Sequence, residues 1–199
     1  MGAFARGSYA RVDFDEMRTF SASLDGTAVT RSADGAWNGT LVSAGGGLSY
    51  ELRAGKRLAL RPSVGFDYYR LKEDGYTETG GGNAFNLTVD DRTSNEATAS
   101  AALAVAYDFG GLEPGGGFFR VEAEGGRREI VSGELGNTTA RFEGGEAFTL
   151  VPEERTSGFT GKLRLLGGDS TYVIGGEVSA EEQQDHIAVA ARVSLQFGF

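Results

Sequence analysis

The thirteen C-terminal residues from Ile187 to Phe199, IAVAARVSLQFGF, decide the fold. Ile187, Val189, Ala191, Val193, Leu195, Phe197 and Phe199 share one parity, and Ala188, Ala190, Arg192, Ser194, Gln196 and Gly198 share the other. A strand sends alternate side chains to opposite faces, so the segment reads as a strand with one wholly apolar face and one small or polar face. It is also too long for an ordinary strand of roughly 5 to 6 residues, whereas a tilted strand crossing a bilayer needs about 9 to 11.

The alternation recurs along the chain. In 57–70, Leu58, Leu60, Val64, Phe66 and Tyr68 oppose Arg57, Arg61, Ser63, Gly65 and Asp67; in 96–109, Leu103, Val105, Tyr107 and Phe109 oppose Ala102, Ala104, Ala106 and Asp108. Segments 40–52, 118–128, 156–166 and 171–180 follow suit, with Val173 as a misfit, and 3–13 and 18–25 carry weaker versions. The reading is all-β, with nine strands. Tight connections (DFDEM at 13–17, RAGK at 53–56, GGLEPGGG at 110–117, GGDS at 167–170) take turns with longer ones (26–36, 72–94, 131–155, and a modest one at 181–186). Transmembrane antiparallel barrels have short periplasmic turns and longer outer loops, which puts the C-terminus on the periplasmic side. Aromatic girdles mark where strands cross the interface, and Tyr50, Tyr107, Phe109, Phe119 and Tyr172 fall at the periplasmic ends on the apolar parity. The loops at 72–94 and 131–155 contain alternation of their own and are expected to project above the membrane.

Composition narrows the classes. Of 199 residues 32 are glycine, 3 proline and none cysteine, which excludes a bundle of long helices, a collagen repeat, a disulfide framework and a thiolate metal site. The net charge of −9 repels a phosphate backbone, so nucleic acid is not an expected partner. No stretch approaches the roughly 20 apolar residues of a membrane-spanning helix, but hydropathy windows miss β-barrels.

Charges recur in mid-strand on the small face: Arg61, Arg120, Glu122, Glu124, Lys162, Arg164, Glu177 and Arg192. Mutually compensating charges suit a water-filled lumen. They either line a path for a translocating chain or solute, or neutralise one another to stiffen the wall. A soluble β-sandwich binding module also alternates, with the apolar face turned to a core; strand length, the Gly/Ala/Ser-rich opposite face and the mid-strand charges favour lipid. No catalytic, cofactor or metal site is expected. His186 is the only histidine and lies in a polar loop, Glu153–Glu154 and Asp90–Asp91 are solvated loop pairs, and the GGG runs lack any phosphate-loop context. The chain is read as a non-enzyme. Phe199, closing the last strand, is a candidate signal for barrel assembly.

In order and spacing, SYARVDFDEMRTF (8–20), LALRPSVGFDYYRLKEDGYTETGGG (58–82), GGFFRVEAEGGRRE (116–129) and the closing IAVAARVSLQFGF resemble the C-terminal part of an autotransporter β-domain, the translocator barrel of type V secretion in Gram-negative bacteria. The resemblance implies an antiparallel transmembrane barrel in outer-membrane lipid. It implies assembly by the barrel-assembly machinery, partly through the C-terminal strand, where Val193, Leu195, Phe197 and Phe199 stand. It also implies assisted export of an N-terminal passenger. Such barrels have twelve strands behind a pore-plugging helix and the passenger. Nine strands with an odd count would leave an open edge in lipid, so residues 1–199 are expected to be one domain incomplete at its N-terminus. Its start also lacks the basic region and apolar core of a signal peptide. The alternative of the transport class is a small porin or adhesin-type barrel with recognition loops.

Overall fold

A computed structural model of the chain describes residues 1–24, 26–82, 84–110, 116–184 and 186–198. Within them the strands are β1 (Gly2–Leu24), β2 (Thr27–Ser49), β3 (Leu52–Ala54), β4 (Leu58–Glu73), β5 (Tyr76–Thr77), β6 (Leu87–Val89) and β7 (Arg92–Asp108). There follow β8 (Phe118–Glu134), β9 (Thr138–Phe142), β10 (Phe148–Leu150), β11 (Gly158–Gly168), β12 (Tyr172–Gln183) and β13 (His186–Phe197). Eight long strands form one antiparallel meander in the order β1-β2-β4-β7-β8-β11-β12-β13, with short β3 beside β4. The sheet curls into a half-barrel whose hollow, about 640 Å³, is lined from Phe4 and Arg6 of β1 round to Ala188 and Ala190 of β13. A second sheet, β10-β9-β6-β5, is built from the two longest connections.

Two of the expected N-terminal segments are one strand. β1 runs without a break through DFDEM, and Asp13 to Met17 pair with Asn38 to Asp34 of β2. Acidic residues in mid-strand imitate a turn in composition. Here the β2 ladder satisfies the backbone and no Gly or Pro interrupts it, so nothing bends the chain. The expected loop at 26–36 is likewise mostly strand, and nine segments become eight long strands. Gly2 therefore lies at the same end of the sheet as Phe197, the short-turn end. The loops at 72–94 and 131–155 do not project as separate hairpins: β6 of the first pairs with β9 of the second, Leu87 facing Phe142 and Val89 facing Ala140.

Burial is inverted relative to a water-soluble sheet. Among the described residues the buried apolar ones are six alanines and Val89, and the buried polar ones include Glu73, Glu78, Glu96 and Glu122. The large apolar side chains stand exposed on the convex face, among them Val64, Phe66, Leu103, Leu163, Ile174, Val189, Val193 and Leu195. An exposed apolar area of that extent calls for an apolar solvent. On β13 it spans ten residue steps from Ile187 to Phe197, about 33 Å of strand, which a tilt near 40° reduces to roughly the 25 Å of an outer-membrane apolar band. Above it the same face turns polar: Arg11, Asp13 and Asp15 on β1, Arg70 and Lys72 on β4, and Arg127 and Glu129 on β8.

Candidate functional site

The concave face carries a ladder of charges. Across neighbouring strands one register row reads Ala59, Ala106, Glu122, Arg164, Glu177, Arg192. The signs alternate along its charged part because each strand places its inward residue opposite the next. Glu122 is the hub: Arg61 Nη2 donates to it at 2.5 Å, Arg164 Nη1 at 3.0 Å and Arg120 Nη2 at 3.5 Å. Arg164 also holds Glu177 at 2.5 Å, and Lys162 Nζ donates to Glu124 at 3.0 Å. Arg61 sits on β4 and Glu122 on β8, so their bond passes over β7. Only a small residue leaves room, and Ala104 beneath is 1 % exposed.

The first strands use the same device. Arg6 of β1 reaches Asp67 of β4 at 2.6 Å across Gly45 of β2, where a Cβ would stand 2.0 Å from the Asp67 carboxylate. The structure thus brings seven of the eight charges together in salt bridges, and Arg192 lies opposite Glu177 in register. Residues outside the expected set join them: Arg120 also approaches Glu51 at 3.3 Å and Asp108 at 3.7 Å, while Arg128 reaches Glu181 at 2.7 Å.

At the short-turn end the aromatics gather. Tyr107 and Phe109 rings lie 4.7 Å apart and Phe109 and Phe119 5.7 Å apart. Tyr172 pairs with Phe197 across β12–β13, and Tyr50 is exposed beside the turn into β3. Val193, Leu195 and Phe197 point to the convex face of β13, with Val193 80 % exposed; Phe199 lies outside the described residues.

At the long-loop end the small sheet sits on the concave side, a feature that the strand periodicity did not reveal. Its anchors are inward residues of the large sheet. Trp37 of β2 stacks between Phe14 (5.2 Å) and Tyr76 of β5 (4.2 Å, planes 6° apart). Arg18 of β1 grips the Glu78 carboxylate with two bonds, 2.6 and 3.1 Å, and Arg92 of β7 grips Glu73 likewise at 2.6 and 2.7 Å while reaching Thr138 of β9 at 2.5 Å. Thr79 exchanges two backbone bonds with Asp34, each 2.8 Å. Burial raises the Glu78 carboxyl, but Arg18 and the Leu87 N–H bind its ionised form and hold it below the usual range. Burial, then the hydrogen bond donated to Glu16, pushes the Tyr76 phenol up to about 12. The small sheet therefore packs as a lid against the inward residues of β1 and β2 at the long-loop end.

An antiparallel meander with lipid-facing apolar side chains, a charge-compensated concave face and its two longest connections at one end defines an outer-membrane β-barrel wall. A family model described as the autotransporter beta-domain matches residues 2–165. The chain belongs to that family: it is an outer-membrane translocator barrel of type V secretion, from a family of transport barrels. The match takes in β1 to most of β11, and β12 and β13 continue the same ladder past it. No curated protein matches the chain by sequence.

Proposed function

We propose that this barrel anchors and assists export of a passenger polypeptide that precedes it in the full-length protein. The observation that carries the reading is the inside-out sheet within a chain of the autotransporter family. Burial of carboxylates under arginines on one face and exposure of Val, Leu and Phe on the other suits a wall between lipid and a wet lumen. Salt bridges tie seven of the eight expected lumen charges to partners on the same face, which supports wall stiffening over a bare charged path. The exposed strand β13, with Val193, Leu195 and Phe197, together with the terminal Phe199 of the sequence, is the segment the barrel-assembly machinery reads, and Tyr50, Tyr107, Phe109, Phe119 and Tyr172 form the periplasmic girdle.

The test is surface display of an epitope-tagged passenger fused upstream. On intact cells the wild-type fusion yields a passenger cleaved by added protease. Val193→Arg places a cation near the bilayer midplane at about 2 to 4 kcal/mol, Leu195→Arg adds a second nearer the periplasmic interface at a smaller cost, and together they abolish membrane insertion and display. A wild-type barrel that inserts while its passenger stays inside refutes the export reading and leaves the barrel standing.

A further inference from the structure

Among the described residues, the lid ends in an edge strand with no ladder partner on its far side. β10 is the terminal strand of the small sheet, paired only with β9. Its bonding pattern follows from its neighbour: the Asp90 N–H donates to the Thr139 carbonyl at 2.9 Å, so Thr139 faces β6 and its flanking residues, Thr138 and Ala140, face β10. Leu150 and Phe148 are the partners of Thr138 and Ala140, which leaves the peptide groups of Thr149 and of the residues on either side of that pair facing outward. Phe148 and Leu150 lie at the uncovered margin of the lid face, 39 % and 61 % exposed. A short apolar edge with free peptide groups is a template for an added strand.

The charges beside the edge select the occupant. Glu143 and Glu146 precede β10, and Glu153 and Glu154 follow it. Among the described residues none of the four has a cation within 4.0 Å, while Arg141 is paired with Asp90 and Arg155 with Glu96. A second copy added antiparallel to β10 would bring Glu146 close to the other copy's Glu153 and Glu154, an unfavourable set of like charges. We propose that β10 is a docking edge for an extended polypeptide segment with alternating apolar residues and Lys or Arg at its ends. The peptide groups supply affinity, the exposed side chains of Phe148 and Leu150 meet the apolar residues of the added segment, and the glutamates choose a basic flank.

The test uses the full chain in lipid nanodiscs and a fluorescent Val-Thr-Val-Thr-Val peptide flanked by two lysines at each end, read by anisotropy. The wild-type protein binds it and binds a glutamate-flanked control at least about tenfold more weakly. Thr149→Pro removes an outward N–H, leaves the β10–β9 backbone bonds in place and gives up the Thr149–Thr139 hydroxyl bond of 3.0 Å. It abolishes binding, whereas Thr149→Val, which gives up only that hydroxyl bond, keeps it, with Trp37 emission unchanged in both to show the lid intact. Glu153→Lys with Glu154→Lys reverses the preference between the two peptides. Equal binding of both peptides, or binding that survives Thr149→Pro on an intact lid, overturns the proposal. So does dimerisation of the chain that Thr149→Pro abolishes, which would assign the edge to a second copy.

Discussion

Gly35 is glycine because Tyr76 lies on it: a Cβ there would stand 2.6 Å from the ring. The ring's seat on Trp37 and its bond to Glu16 depend on that contact, and Trp37 is the only tryptophan in the chain. Gly35→Val is therefore expected to displace Tyr76, shift Trp37 emission to the red, and bring the Tyr76 phenol from about 12 back toward the ordinary tyrosine value near 10. An ultraviolet pH titration reads this directly, with Tyr76→Phe as the variant that removes the component. The phenol's raised folded value favours folding below pH 10 or so, and that contribution fades as pH rises through about 12. The stripe that makes this packing was visible in the sequence as Ala33, Gly35, Trp37, Gly39, Leu41, Ser43, Gly45 and Gly47, a period of two in mainly small residues. Its lower part, Ser43 to Gly47, stood out against Val42, Ala44 and Leu48; its upper part, Ala33 to Gly39, did not, because the facing positions Asp34, Ala36 and Asn38 give no apolar contrast.

Among the elements, the lid is held by the Arg18 grip on Glu78 and the Arg92 bond to Thr138 as well as by the aromatic contacts Trp37–Tyr76 and Phe20–Phe85. Glu78 is 2 % exposed, so Arg18→Met would strand a buried carboxylate at a cost of about 3 to 5 kcal/mol, less the part that water recovers as the lid opens. Glu78→Gln in the same chain should restore part of it, and a double-mutant cycle on urea melting followed by Trp37 emission measures the difference. Acid should act in the same sense. A carboxylate held below its usual value contributes stability above about pH 4.3 that is lost as pH falls through its folded value, so the lid loosens before the membrane ladder melts. Legibility followed the same division. The strands whose alternation was apolar against polar, such as β4, β7 and β13, were read from the residues. The continuity of β1 through 13–17, the strand at 27–36 and the pairing of the two long loops with each other were not, because outside lipid both faces carry polar residues and the hydrophobic alternation is too weak to fix ends or partners. The charges Arg61, Glu122 and Arg164 stood out because they break into an otherwise apolar segment; Arg18, Glu73, Glu78 and Arg92 sit among other polar residues and gave no such signal.

For the whole molecule the decisive quantity is the edge. β1 and β13 end the sheet, and among the described residues no ladder joins them. Lipid supplies no hydrogen bonds, and each unsatisfied peptide group costs several kcal/mol there, so a row of them along twelve residues of β13 is not tolerable in a bilayer. The peptide groups of β13 that point away from β12 must therefore be paired in the membrane. Amide exchange on the outer-membrane-embedded protein should find them as protected as those bonded to β12; rapid exchange of alternate amides would mean the edge meets water instead. The partner can then be identified. Gly7 on β1 and Ala191 on β13 both face outward, and Gly7→Cys with Ala191→Cys tests direct closure of the eight long strands. A disulfide between them means the wall closes on itself. Protected amides without one mean that further strands lie between β1 and β13, the outcome we expect, because the present curl leaves the sheet a half-barrel and the charged rows stop short of a full circle.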